Sequence, residues 1–146
     1  MEMNGEFTVP ATRAAVWEAL NDPETLSRCI PGCESITRTS DTQFDAEMRA
    51  KIGPVKAKFT TAIELSDLDP PNSYTLSGQG KGGAAGFAKG RARVQLESAA
   101  DGTKVIYTAD MQVGGKLAQI GSRLVSGAAK KIADQFFQAF SNELGA

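Results

Sequence analysis

Histidine is absent from the 146 residues, and this absence narrows the available chemistry more than any other. Without an imidazole there is no Ser-His or Cys-His nucleophile pair, and the commonest general base and zinc ligand are missing. The two cysteines, Cys29 and Cys33, match neither the C-x-x-C redox spacing nor half of a zinc site. We therefore expect structural thiols and no bound metal, with a reversible disulfide as the alternative for the cysteines.

The sequence also lacks a long apolar run, a secretory signal and an excess of one charge. No stretch reaches the roughly 20 apolar residues of a transmembrane helix, and the acidic, polar start does not resemble a signal peptide. Sixteen basic and seventeen acidic residues leave a net charge of −1, so electrostatics gives no support to a nucleic-acid partner. A cytoplasmic protein with a single domain over residues 1–146 is expected.

The chain does contain a clear change of hydrophobic period. Residues 6–9 alternate as a short strand, and two short helices are predicted after it, one capped by Thr12 and one started by Asp22-Pro23. From Cys33 onward the period becomes two, which predicts about six antiparallel strands joined by turns.

The last segment, residues 116–144, is predicted to form one long amphipathic helix. Its apolar stripe consists of Leu117, Gly121, Leu124, Val125, Ala128, Ile132, Phe136 and Phe140. One apolar face on each strand and one apolar stripe on the helix can only cover each other. The sequence therefore predicts an α+β fold in which a curved antiparallel sheet of about seven strands grips the C-terminal helix.

Small residues are expected to face each other between sheet and helix. On the strands over residues 74–81 and 86–96 the inward positions are Gly78, Gly80, Gly86, Ala88, Gly90 and Ala92. The middle of the helix is equally small, and such a pairing leaves apolar space for a ligand. The predicted pocket residues are Phe44, Met48, Phe59, Ile63, Tyr74, Leu76, Tyr107, Met111, Leu124 and Ala128. A fully packed core is the alternative.

The glycine-rich hairpin tip allows two interpretations. Phe87 lies among glycines, with Lys81 and Lys89 on either side. The tip is either a mobile hairpin end or a small membrane- or partner-docking finger, in which Phe87 inserts and the lysines contact anionic groups. The literal G-x-G-x-x-G match over residues 78–83 is not followed by a helix, so it does not indicate a dinucleotide site.

No catalytic constellation is evident in the sequence. The carboxylates of the strands all fall on the outward register: Asp45, Glu47, Glu64 and Glu97. The inward polar residues Thr61, Tyr74 and Tyr107 are expected to orient a ligand rather than to catalyse a reaction. A protein without enzymatic activity is therefore the expectation.

Several short stretches together resemble the family of the G-type accessory subunit of carbon monoxide dehydrogenase. They are residues 16–23, 30–33, 53–57, 69–74, 80–90 and 114–123, spread over nearly the whole chain. The resemblance implies a START-like, helix-grip fold of the SRPBCC superfamily with an apolar ligand cavity, and it offers no catalytic motif to transfer. The family accompanies molybdenum hydroxylases of the carbon monoxide dehydrogenase type, and it is associated with tethering them to the membrane and with handling a lipophilic quinone.

Residue pattern and resemblance lead to three functional hypotheses. The first is a non-enzymatic protein that binds a hydrophobic small molecule such as a quinone, beside a carbon monoxide dehydrogenase-type hydroxylase at the inner face of the cytoplasmic membrane. The second is a small cyclase- or aromatase-like enzyme that uses Tyr74 and Tyr107 as acid–base groups, and the third is a ligand-free assembly factor. Some family members continue into a membrane-anchoring tail, whereas this sequence ends at Ala146, so only reversible membrane contact is expected.

Overall fold

The structure is a computed structural model that describes residues 1–145. Its elements, in chain order, are β1 (Glu2–Val9), α1 (Arg13–Leu20), α2 (Pro23–Cys29), β2 (Cys33–Ser40), β3 (Gln43–Ile52), β4 (Val55–Asp69), β5 (Ser73–Lys81), a short 3-10 helix (Gly83–Ala85), β6 (Phe87–Ala99), β7 (Gly102–Gly114), α3 (Lys116–Gln119) and α4 (Ser122–Gly145).

The seven strands form one antiparallel sheet in the order β1-β7-β6-β5-β4-β3-β2. Strands β2 to β6 each pair with the next strand along the chain, while β7 pairs with β1, which forms the far edge. The β6–β7 turn requires glycine, since Gly102 has φ +141° and an added Cβ would overlap the Val9 carbonyl oxygen. This topology confirms the predicted α+β fold of about seven strands with a C-terminal helix.

Two short helices follow β1, as predicted, because the sequence supplies their N-terminal caps. The Ala15 N–H donates a hydrogen bond to Thr12 Oγ1 at 3.3 Å, and the Glu24 N–H donates to Asp22 Oδ1 at 3.3 Å. The Thr25 hydroxyl donates to Asp22 Oδ2 at 2.8 Å. That bond is the main reason why the pKa of the Asp22 carboxyl lies below its usual value.

Two predicted boundaries are wrong. The C-terminal segment is not one helix over residues 116–144, because Gly121 adopts φ +96° and separates α3 from α4. Strand β1 begins at Glu2 rather than at residue 6, because its polar first half pairs with β7 in the register Glu2↔Asp110. Local alternation is weak over those first residues, so only the partner strand reveals this half of β1.

The face of the sheet that packs against the helices, here called the inner face, carries two separate apolar clusters. The buried members of the first cluster are Val9, Val16, Ala19, Leu20, Cys29, Phe44, Leu65, Tyr74, Val94, Leu96, Val105 and Phe140. The second cluster lies at the opposite end of the sheet and consists of Phe59, Ala85 and Leu117. The middle of the inner face belongs to neither cluster, and the candidate site lies there.

Candidate functional site

Glycine and alanine cover the middle of the inner face on β5, β6 and β7. The register places Gly78 opposite Gly90 and Gly80 opposite Ala88. At ~3.3 Å per residue this patch extends roughly 13 Å along β6. Across the strands each row contains two small residues, because Leu76, Met111 or Val113 occupies the third position. We call it the small-residue floor, and its members are Gly78, Gly80, Ala88, Gly90, Ala92 and Ala109.

The space directly above Gly78 is open. A Cβ added at Gly78 would meet only one atom within 4 Å, the Ala62 carbonyl oxygen of the neighbouring strand at 3.8 Å. At Gly90 the three nearest atoms are the Asp110 carbonyl oxygen at 3.1 Å and Cα and Cβ of Met111 at 3.8 Å. These neighbours all belong to the sheet, and within residues 1–145 no helix atom lies within 4 Å of a Cβ added at Gly78.

Helix α4 faces the floor with apolar side chains that packing leaves partly exposed. It contacts β1 and β3, which lie on either side of the floor strands in the sheet. Ile132 follows Val125 by seven residues and precedes Phe136 by four, so all three share one helical face. Val125 is buried, yet Ile132 remains 36% exposed. Ile132 therefore lies on the same side of α4 as the buried Val125 and still keeps accessible apolar surface.

The ten predicted pocket residues fall into three groups. Three are buried members of the two clusters: Phe44, Phe59 and Tyr74. Three are half-buried against the first cluster: Ile63, Leu76 and Tyr107. Four keep accessible surface outside both clusters: Met48, Met111, Leu124 and Ala128. The last group offers the most surface to a ligand, and ligand contact stays a prediction for all ten.

Tyr74 brings a phenol ring into the first cluster, on the same strand as Gly78 and Gly80 of the floor. Its ring packs edge-on against Trp17, with the ring centroids 5.4 Å apart. The hydroxyl has no hydrogen-bond partner within residues 1–145. Every fully buried side-chain nitrogen or oxygen in that part of the chain does have a partner. The Tyr74 oxygen is therefore not fully buried and keeps some accessible surface. Burial raises the pKa of Tyr74 far above its usual value. The hydroxyl is therefore a neutral hydrogen-bond donor at physiological pH.

Tyr107 has a different environment, because its ring leans over Gly5 of β1. A Cβ added at Gly5 would lie 2.8 Å from Tyr107 Cε1 and 2.9 Å from its hydroxyl oxygen. Phe137 of α4 stacks on Phe7 of β1 with centroids 4.2 Å apart, and the Tyr107 ring lies 6.2 Å from Phe137. Burial, and then the charge of Asp134, raise the pKa of Tyr107. These rings close the seam between β1 and α4, an arrangement that the sequence pattern did not reveal.

The hairpin tip near Lys81, Phe87 and Lys89 is folded onto the body of the protein. Ala85 of the tip is buried in the second cluster. Phe87 is the first residue of β6, and its ring lies across Gly114, where an added Cβ would overlap it. An aromatic ring over a cross-strand glycine is a packing arrangement. Phe87 nevertheless stays 39% exposed, and the docking role of the three residues stays a prediction.

A broad depression of about 1480 Å³ lies on the outer face of the sheet. Charged outward residues such as Glu64, Arg91 and Asp110 line it, and of the predicted pocket residues only Phe44 and Ile63 border it. An open and charged surface gives an apolar ligand little shelter from water. We therefore place the candidate site on the inner face.

The remaining reactive groups do not assemble into a site. Burial raises the thiol pKa of both Cys29 and Cys33, which favours the protonated thiol over the nucleophilic thiolate. Within residues 1–145 no three His, Cys, Asp or Glu side chains are grouped as metal ligands would be. In the same part of the chain, no helix has both the length and the apolar character that crossing a bilayer requires.

Comparisons with known proteins agree with the fold described above. The sequence model of the CoxG family, the G-type subunit of carbon monoxide dehydrogenase, matches residues 5–145. A conserved protein of known crystal structure from Geobacillus kaustophilus is 35% identical and superposes with a TM-score of 0.92 over 99% of this chain and 95% of its own. No curated protein sequence matches the chain.

More distant structures share the fold alone. Ara h 8.0201 has a TM-score of 0.70 at 17% identity, over 99% of this chain and 97% of its own. The Zhui aromatase/cyclase from Streptomyces sp. R1128 also has a TM-score of 0.70, at 13% identity over 99% of this chain and 93% of its own. The START-like, helix-grip prediction is confirmed by this likeness.

Proposed function

Because the chain belongs to the carbon monoxide dehydrogenase CoxG family, we propose that it is a non-enzymatic accessory protein that binds a lipophilic small molecule, with a quinone as the first candidate. It would serve a carbon monoxide dehydrogenase-type molybdenum hydroxylase by assisting membrane association or electron transfer to quinone. The observation that carries the proposal is the small-residue floor opposite α4, between two apolar clusters that do not meet.

The size and chemistry of the floor suit a flat apolar ring system. A bicyclic ring can lie lengthwise along a patch roughly 13 Å long, and Met111, beside Gly90 on β7, is an adaptable apolar contact. At ~25 cal/mol per Å², burying about 250 Å² of apolar ligand surface contributes on the order of 6 kcal/mol before ordering costs. No ion pair is needed for binding of that strength.

Tyr74 gives the proposed ligand an orientation. We infer that its hydroxyl, which has no hydrogen-bond partner within residues 1–145, points from the first cluster toward the space. A ligand with a carbonyl oxygen would accept a hydrogen bond there, and its hydrocarbon part would extend over the floor toward Leu124 and the β3–β4 turn. A quinone with an isoprenoid chain has this distribution of polar and apolar groups.

The enzymatic alternative draws less support from the residues. The likeness to an aromatase/cyclase is a likeness of fold, at 13% identity. Efficient general acids and bases have pKa values near the operating pH, whereas burial moves the pKa values of Tyr74 and Tyr107 upward, away from neutrality. We therefore propose that Tyr74 orients a ligand as a hydrogen-bond donor and that neither tyrosine exchanges protons with it.

Organic extraction of purified protein, followed by mass spectrometry, tests the proposal. We expect a prenylated quinone from the wild type and little from Gly78→Leu, whose side chain would occupy the open space. Gly127→Leu is the matched control, because Gly127 is exposed on α4 with no atom within 4 Å of an added Cβ. A folded wild-type protein that carries no lipophilic molecule, binds no added quinone and still binds the hydroxylase would instead support the assembly factor.

A further inference from the structure

The near-zero net charge hides a separation of charge along the chain. Residues 48–63, 70–96 and 111–133 contain no aspartate or glutamate, and they hold twelve of the sixteen basic residues. The rest of the chain contains all seventeen acidic residues and only four basic ones. The overall composition does not show this separation, because the positive and negative charges cancel in the total. The net charge alone therefore gives no indication of a charged partner.

The fold brings parts of the three acid-free stretches together at one end of the sheet. The second cluster takes one buried residue from each stretch: Phe59, Ala85 and Leu117. At the β3–β4 turn, a Cβ added at Gly53 would lie 3.6 Å from Leu124 Cδ1 and 4.0 Å from Ile120 Cδ1. The β3–β4 turn, the 3-10 helix and the α3–α4 junction therefore form one continuous surface, which we call the basic end.

Six cations at or beside the basic end are exposed: Lys51, Lys56, Lys81, Lys89, Lys116 and Arg123. None of them belongs to an ion pair within residues 1–145, where the salt bridges use other cations. Their charge is therefore available to an external anion.

Exposed apolar side chains lie among these cations. Leu124 is 51% exposed beside the β3–β4 turn, and Phe87 is exposed at the start of β6. Five of the six cations are lysines, and lysine is depleted in protein–protein interfaces, where arginine is enriched. Lysines around a few exposed apolar side chains are typical of surfaces that bind anionic lipid headgroups.

We propose that the basic end docks on an anionic phospholipid bilayer, with Leu124 and Phe87 entering the headgroup region and the lysines contacting lipid phosphates. This inference rests on the proposed function, since docking by this end brings the inner-face space close to the bilayer that would supply a lipophilic ligand. It extends the predicted contact beyond Lys81, Phe87 and Lys89 to the β3–β4 turn and the α3–α4 junction.

Vesicle co-sedimentation tests the electrostatic part. The wild type should bind vesicles of equal parts phosphatidylcholine and phosphatidylglycerol, and high salt should abolish that binding. It should not bind vesicles of pure phosphatidylcholine. Lys51→Gln with Lys56→Gln should weaken binding about 25-fold, at about fivefold for each lysine. The control, Gln95→Glu with Gln135→Glu, changes the net charge equally at exposed positions away from the basic end, and should bind within about twofold of the wild type.

Two exposed leucines test the apolar part. Leu124→Ser should weaken vesicle binding, whereas Leu68→Ser should not, because Leu68 is 43% exposed near the other end of β4. Equal losses in the variants and their controls would overturn the proposal. It would also be overturned if the wild type ignored the anionic vesicles while the double lysine variant lost affinity for the hydroxylase, since the partner would then be an acidic protein surface.

Binding of menadione to the protein in solution distinguishes a failure of the docking surface from a failure of the proposed ligand-binding function. Menadione binding that survives in the double lysine variant, together with lost vesicle binding, is the expected result. Vesicle binding by a wild type that binds no menadione and carries no lipophilic molecule would refute the carrier and leave the docking surface supported. Menadione binding by a wild type that ignores anionic vesicles would refute the docking surface alone.

Discussion

A single methyl group at Gly78 tests whether the space over the floor is empty, without any ligand. The added Cβ would meet only the Ala62 carbonyl oxygen at 3.8 Å, an ordinary van der Waals distance. Gly78 also has no positive φ, so alanine fits its backbone without strain. Gly78→Ala should therefore raise the free energy of unfolding by about 0.5–1 kcal/mol, because glycine loses more conformational freedom on folding.

Gly5→Ala is the matched control on a neighbouring part of the same inner face. Its Cβ would lie 2.8 Å from Tyr107 Cε1 and 2.9 Å from Tyr107 Cζ, so the ring must move within the stack that includes Phe137. Overpacking of this kind typically lowers the free energy of unfolding by about 1–3 kcal/mol. The two glycines thus predict effects of opposite sign from the same substitution.

Urea and thermal denaturation measure both variants. For a domain of this size, 1 kcal/mol corresponds to a shift of about 2–4 °C in Tm. A Gly78→Ala protein as destabilised as Gly5→Ala would mean that side chains fill the space over the floor. The inner face would then have no room for a ligand, whatever the family relationship.

Three further predictions concern single groups. The wild type should bind menadione about two- to tenfold more tightly than 2-methylnaphthalene, which is the effect of one hydrogen bond, and Tyr74→Phe should remove this preference. A fluorescence titration measures both affinities, and Tyr107→Phe, the control, should leave them unchanged. Equal loss of the preference in both variants would contradict the prediction. Asp22→Ala should lower the free energy of unfolding by about 1 kcal/mol at neutral pH through loss of the α2 cap. Because the folded pKa of Asp22 is depressed, the difference should disappear as pH falls through that pKa, and a pH-independent difference would count against the cap. Gly121→Ala should lower the free energy of unfolding, measured in urea, by about 1 kcal/mol, because the φ of +96° at this position strains alanine. Unchanged stability would mean that the break between α3 and α4 does not need glycine.

The fold class could be predicted because it depends on patterns between near neighbours in the sequence. Side chains alternate along every strand whatever its partners, so alternation alone places both Phe44 and Ile63 on the inner side, and the register sets them opposite each other. The break at Gly121 could not be predicted in this way. Glycine is tolerated inside helices, and its positive φ here follows from how the chain must turn between α3 and α4.

Some features of the candidate site can be identified from the sequence, whereas others depend on contacts in the folded protein. The small residues of β5 and β6 and the acid-free stretches are properties of the sequence and could be identified there. Tyr74 and Tyr107 are both inward residues, but Trp17 packs on one while the other leans over Gly5. That distinction depends on which elements come to lie beside each ring, which alternation does not encode.

The sequence by itself determined the periodicities, the turn glycines and the supply of small, apolar and basic side chains, because these depend on residue type and local spacing. Only the tertiary structure decided where the space lies and where the basic residues gather. Packing of Phe59, Ala85 and Leu117 joins three distant stretches at one end, and the β5–β6 register aligns Gly78 with Gly90. The first depends on contacts between residues far apart in the sequence, and the second on the register that the β5–β6 connection imposes, and residue type and alternation encode neither.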